Sequence, residues 1–248
     1  MASPPQAGYI AGNKESGIDD HAGQRQGNPF TLGKARSKIM TLSIDDVIRS
    51  RRSVRFFKEG DAINKADLKD LLEAARQAPS AKNLQPIEYV LVDNANVKNA
   101  LSTACRQNQP SQAPAVIVVL GNMQISSQLS KISVSPNSTS YRSTHMFIYM
   151  DAAAAIENML LAATAKGIDS LWISSFDDKA VHDALQLPEH LEPFAIICFG
   201  HRARPPFSPK KRSIDERLYH NHYRPKSQDF AYLEQCKLIN SIRGEYAR

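Results

Sequence analysis

Ala115-Val116-Ile117-Val118-Val119-Leu120 would present no polar side chain on either face of a strand. A short, β-branched run of this kind is what a strand covered on both faces looks like, so the rest of the chain has to supply apolar layers above and below it. The flanking sequence does so. Leu68, Leu71, Leu72 and Ala75 recur at helical spacing behind Asn64, a good N-cap, and this helix must stop at Ala78-Pro79 because the residue ahead of a proline avoids helical geometry. Ser43, with Asp46 at the third helical position, caps a shorter helix through Ile44, Val47 and Ile48 to about Arg51.

Further along, Ile87 to Val92 reads as a strand, and Asn96 to Cys105 as a helix followed by a Gln/Ser/Pro loop. Residues from Gly121 to about Thr144 are rich in Ser and Asn with weak periodicity, which predicts a loop or lid with a short helical piece. Tyr149 to Lys166 is the longest expected helix, ended by Gly167. Ile168 to Ser175 reads as a strand, Asp178 to Leu185 as a helix and Phe194 to Gly200 as a strand. This alternation predicts an α+β fold with helices packed around a small central sheet. No internal repeat is present, and no composition break within 43–212 suggests two domains.

A chain of 248 residues is long enough for one well-buried domain plus tails. The expected division is a flexible N-terminal extension over 1–42, a folded domain over 43–215 and a C-terminal extension over 216–248. The first segment has no apolar core of a secretory signal, and Glu15, Asp19 and Asp20 argue against a transit peptide. No apolar run is expected to approach the roughly 20 residues of a membrane helix. Cys105, Cys198 and Cys236 lie far apart without metal-type spacing, which argues against a disulfide scaffold and predicts a reducing, cytoplasmic setting. Cys198 sits inside an apolar run and reads as a packing residue. His220-Asn221-His222 offers two metal ligands with no suitably spaced third, so an exposed tail pair is the better reading and no metal is expected.

The net charge of +6 suggests anionic ligands without choosing between a nucleotide cofactor, nucleic acid and lipid. Aromatic content of 7% and the lack of a recognisable nucleic-acid module disfavour nucleic acid. No Gly-x-Gly-x-x-Gly, Walker loop or serine-hydrolase elbow is present. What remains is three segments: Arg51-Arg52-Ser53-Val54-Arg55 at one helix end, Ala78-Pro79-Ser80-Ala81-Lys82-Asn83-Leu84-Gln85-Pro86 at the next, and Lys210-Lys211-Arg212 near the C-terminus. A phosphate that is nearly dianionic calls for guanidinium, hydroxyl and ammonium donors, and small residues allow a planar ring to approach closely. Together the three segments look like a flavin mononucleotide site. From the residues alone, a solvated basic helix end and a basic loop remain the alternative.

The same segments, with Ala113–Leu120, Asp151–Phe176 and Pro188–Gly200, occur in the order found in the nitroreductase superfamily, which residues 43–215 resemble. The resemblance implies a three-layer α/β/α sandwich with a small, mostly antiparallel central sheet. It also implies a domain-embracing homodimer whose two FMN sites lie at the subunit interface, wrapped by the C-terminal extension. By the same resemblance Arg51, Ser53 and one or two of Lys210, Lys211 and Arg212 hold the phosphate, with Arg52 beside them. Arg55 faces the pyrimidine edge of the flavin and favours its reduced, electron-rich state. Pro79, Ser80 and Ala81 approach the ring from the partner subunit, and Asn83 and Gln85 either brace that loop or touch the cofactor. Trp172, Ile173, Ser174 and Ser175 pass one flavin face, with two serines where many members carry glycine. Burial of Trp172 or Ile173 in an ordinary core is the other reading, and Glu157 in the long helix is expected to pair with a cation or position the loop.

The implied activity is two half-reactions: hydride from NADH or NADPH to flavin N5, then to a nitroaromatic, quinone or similar acceptor. No protein acid or base is obligatory in it. Two alternatives stand beside this reading. One is a flavin-dependent oxidase or dehydrogenase of peptide-like substrates, similar to the cyclic dipeptide oxidases, with a possible small partner subunit. The other is a non-enzymatic flavin-holding protein.

Overall fold

The computed structural model describes residues 42–126 and 144–223. Its centre is a sheet of four strands, β1 (Ile87–Val92), β2 (Ala115–Asn122), β3 (Asp169–Ile173) and β4 (Leu191–Gly200), in the spatial order β1-β2-β4-β3. Every strand pair in it is antiparallel. The apolar run lies in β2, and Val116 to Val119 are fully buried. Alternate residues serve the two faces. Ala115, Ile117 and Val119 join Ile197 and Phe199 under α2 (Lys65–Arg76) and α6 (Thr144–Ala165). Val116, Val118 and Leu120 join Ile196 and Cys198 under α3 (Ala95–Cys105) and α7 (Asp178–Leu185). The result is the expected α/β/α sandwich, each large buried side chain contributing on the order of 1.5–3 kcal/mol.

Local chemistry sets the helix ends. The Ser43 hydroxyl accepts from the Asp46 N–H at 3.1 Å and the Asp46 carboxylate accepts from the Ser43 N–H at 3.2 Å, a reciprocal cap for α1 (Ile44–Ser50). Asn64, Asn94 and Asp177 cap α2, α3 and α7 through their side chains. Gly167, at φ 75°, closes α6: its N–H reaches Thr164 O, and Ile168 N–H reaches Ala163 O at 2.8 Å. An extra residue at Phe194 shifts the β2–β4 register between Val119 and Leu120, so that Phe194 and Ala195 both enter the layer under α6.

Several expectations are corrected. The Gln/Ser/Pro segment is not all loop; it contains a short helix, α4 (Gln109–Gln112), with Pro110 in its first turn, where a missing N–H costs nothing. β3 ends at Ile173 rather than Ser175, β4 starts at Leu191 rather than Phe194, and α6 starts at Thr144 rather than Tyr149. Beyond α1, Ser53 and Phe57 make isolated bridges, to Ser170 and Arg202. Contrary to the expectation of no such run, Met146–Ala165 has the length and apolarity of a membrane span, with mean hydropathy 1.3, although 44% of it is buried within this fold. A further short helix, α5 (Met123–Ser126), falls where a helical piece was expected. The rest of the expected lid, the extension over 1–41 and the end of the C-terminal extension with Cys236 lie outside the described residues.

Candidate functional site

The end of α1 determines where its basic residues go. Arg51 leaves helical geometry at φ −56°, ψ 130°, and the chain runs on extended along the free edge of β3. There the Val54 N–H donates to Ser170 O at 2.9 Å, and Ser53 forms a parallel bridge with Ser170. Val54 is buried beneath this edge, which fixes Ser53 and Arg55 on the alternate side, both half-buried. On β3 the period of two turns Ser170, Trp172 and Ser174 to one face and Leu171 and Ile173 into the core. Ser170, Trp172 and Ser174, together with Arg51, Ser53, Glu157 and Leu160, line a cleft of about 360 Å³.

A cation and an anion face each other in this cleft. Arg51 Nε lies 3.3 Å from Glu157 Oε1. Arg52 is engaged elsewhere: its Nη1 donates to the carbonyls of Arg49 and Arg51 at 2.6 and 2.7 Å, and its Nε to Ser208 Oγ at 3.1 Å. This last contact ties the segment that carries the second basic cluster to the first. Lys210 and Lys211 are exposed, and Arg212 Nε lies 3.4 Å from Glu216 Oε2; none of the three lines the cleft. The Arg55 carbonyl accepts from Gln109 Nε2 at 3.3 Å. Ser175 is exposed, just beyond the end of β3.

The small-residue loop lies elsewhere. It leads into β1, the opposite edge of the sheet from β3, three strand spacings or about 14 Å away. Ala81 to Asn83 form one turn of 3-10 helix in which Lys82 and Asn83 take positive φ, as does Gln85 just after, at 54°, 56° and 51°. Three non-glycine residues in the left-handed region within four positions require the surroundings to hold them. Ser80 Oγ accepts from the Gln85 N–H at 3.0 Å, and Gln85 Nε2 donates to Asn83 O at 3.4 Å. Asp151, from α6, accepts the Ala81 N–H on both carboxylate oxygens at 3.1 Å. Asp151 is buried, and desolvation raises its pKa above the ordinary carboxylate value against the opposing pull of that N–H. Pro79 stays exposed at the rim.

Sequence reasoning did not single out Asp151, Leu160 or Ser170. For Asp151 a signal was available: an acid in the same helical phase as Ile148, Ala152 and Ala155 sits on the face that must be buried. Cys105 and Cys198 are buried free thiols, both pushed up by desolvation, as suits packing residues. His220 and His222 are exposed, and no metal-holding group of His, Cys, Asp or Glu occurs among the described residues.

Comparison with known proteins identifies the family of the chain. Residues 48–201 match the sequence profile described as the Nitroreductase family. A protein of Archaeoglobus fulgidus, provisionally named an NADH dehydrogenase/NAD(P)H nitroreductase, is 30% identical over 160 residues, covering 62% of this chain and 83% of its own. An FMN reductase (NADPH) of Bacillus subtilis is 26% identical over 195 residues, covering 75% of this chain and 77% of its own. The crystal structure of a nitroreductase family protein from Streptococcus pneumoniae superposes with a TM-score of 0.62 at 21% identity, over 72% of this chain and all of that one, a likeness of fold.

Proposed function

Because the chain belongs to the nitroreductase family, we propose that it is an FMN-dependent oxidoreductase, using NADH or NADPH as donor and a nitroaromatic, quinone or similar compound as acceptor. Bound FMN would supply the two-electron chemistry through N5. The residues supply position and field. Arg51 and Ser53 meet the phosphate at the end of α1, with one or two of Lys210, Lys211 and Arg212 completing the charge from the segment that Ser208 ties to Arg52. Trp172 and Ser174 form the cleft wall along the ring, and Ile173 and Ser175 offer backbone groups from the same segment. Arg55 places a cation by the pyrimidine edge, favouring electron-rich flavin.

One observation carries this reading. The guanidinium of Arg51 and the hydroxyl of Ser53, neighbours at one helix end, converge on one cleft with the aromatic strand edge at Trp172, which is distant in sequence. The loop of Pro79, Ser80 and Ala81 reaches the ring from a second copy of the chain. That arrangement is supported by the position of this loop at the opposite sheet edge, and by exposed apolar side chains on α1 (Ile44, Ile48) and α6 (Met146, Tyr149, Met150) that a homodimer would cover. The deciding test is the visible spectrum of the purified protein followed by anaerobic titration with each reduced nicotinamide. Bound flavin that bleaches is the expected result. Protein that stays colourless after saturation with FMN, or flavin that neither nicotinamide bleaches, overturns the proposal.

A further inference from the structure

We infer that Asp151 is a positioning residue that holds the Pro79–Asn83 loop in the shape needed beside the flavin, a role that rests on the reading above for its functional part and on geometry for the rest. Ala81 begins a 3-10 turn whose N-cap, Ser80, makes no side-chain hydrogen bond to it, so the first N–H of the turn needs an acceptor from outside. Asp151, distant in sequence and buried about two turns into α6, provides it with both oxygens. The positive φ values of Lys82, Asn83 and Gln85 make this loop costly to keep, and the Ser80–Gln85 bond inside it closes the loop on itself without attaching it to the body of the fold. The Asp151–Ala81 contact makes that attachment. A carboxylate in this place is dear in solvation, which a purely space-filling position would avoid with an apolar residue. Because α6 is the longest helix among the described residues and is packed on the sheet, it offers a rigid point from which to fix the loop.

The inference is tested at two levels. Hydrogen exchange at the Ala81 amide in the flavin-free wild-type protein needs no cofactor, and it should be slow, then speed up at least tenfold in Asp151→Ala while the amides of β2 keep their protection. Asp151→Asn keeps an oxygen acceptor and should restore the protection. In the flavin-loaded protein, Asp151→Ala should weaken FMN binding by about tenfold or more and shift the visible flavin band, with Asp151→Asn within about threefold of wild type. The inference is overturned if the wild-type Ala81 amide exchanges as fast as an open loop. It is equally overturned if Asp151→Ala binds FMN with wild-type affinity and spectrum, or if Asp151→Asn is as impaired as Asp151→Ala. Should Asp151→Ala not fold, the wild-type exchange rate and the Asp151→Asn comparison still decide. Failure of the FMN reading alone would remove the second level and leave the exchange result intact.

Discussion

Arg51 and Glu157 face each other across the cleft with Nε and Oε1 3.3 Å apart, and both remain partly open to solvent at 28% and 44% side-chain exposure. The contact runs through Nε, and a guanidinium engaged in this way has further N–H donors that an oxyanion could take. A phosphate bound there would lie close to the Glu157 carboxylate, and like charges at that range oppose one another even after solvent screening. Glu157→Gln should therefore tighten FMN binding, by about three- to tenfold at low ionic strength, with the gain shrinking as salt rises. Riboflavin, which lacks the phosphate, should bind both proteins equally. Equilibrium dialysis or fluorescence quenching with the two ligands reads both effects.

Replacing Arg51 itself should act in the opposite sense. Hydrogen bonds to charged groups are worth about 1.5–3 kcal/mol, so Arg51→Ala should cost roughly 10- to 150-fold in FMN affinity and leave riboflavin binding nearly unchanged. Arg51→Lys should recover only part, since an ammonium gives a point charge in place of a fork. A loss shared equally by FMN and riboflavin would mean that Arg51 does not meet the phosphate.

Trp172 is the sole tryptophan of the chain, and its indole lines the same cleft at 37% exposure. Flavin bound there should quench nearly all of the tryptophan emission, saturating at one FMN per chain. Trp172→Phe should keep FMN within about threefold in affinity, because an aromatic face is retained. A titration that leaves the emission unchanged would place the ring elsewhere.

Much of this arrangement was legible from residue pattern, and the exceptions have physical causes. β1 and α7 fall at their expected limits because period-two and capping signals mark both ends. α4 was hidden because four residues, Gln109 to Gln112, are too few to show a period. β3 is shorter than expected, its pairing with β4 ending at Ile173 and Ile196, and nothing in the residue pattern of Ser174 and Ser175 marks that limit. Arg51 and Ser53 could be singled out from charge, hydroxyl and spacing, and they do line one cleft, whereas the Asp151 contact with Ala81 was not legible, since it depends on which way a distant loop folds back.

Gly121 tests the packing that supports the start of α6. A Cβ added there would lie 2.3 Å from two ring carbons of Phe194 and 3.0 Å from Ile148. Phe194 is in turn stacked on Tyr149, with ring centroids 4.1 Å apart, so it cannot swing aside without breaking that contact. Gly121→Ala should cost about 1–3 kcal/mol by overpacking, seen as a drop of several degrees in the melting temperature.

Asp151 gives the pH dependence of stability a defined sign. Desolvation raises its folded-state pKa above the ordinary value of 3.8, so the folded chain holds this proton more tightly than the unfolded chain does. Its contribution to stability is then fully present below that ordinary value and is lost as pH rises through the folded value, where the buried carboxylate ionises. Asp151→Asn keeps an acceptor for the Ala81 N–H and never ionises. At pH 7 it should melt higher than wild type, and the gap should close as the pH is lowered through the interval just above the ordinary carboxylate range. Melting curves of the two proteins recorded side by side from pH 7 to 4 measure this directly. A gap that widens on acidification would mean that the N–H bond outweighs desolvation and that the shift runs the other way.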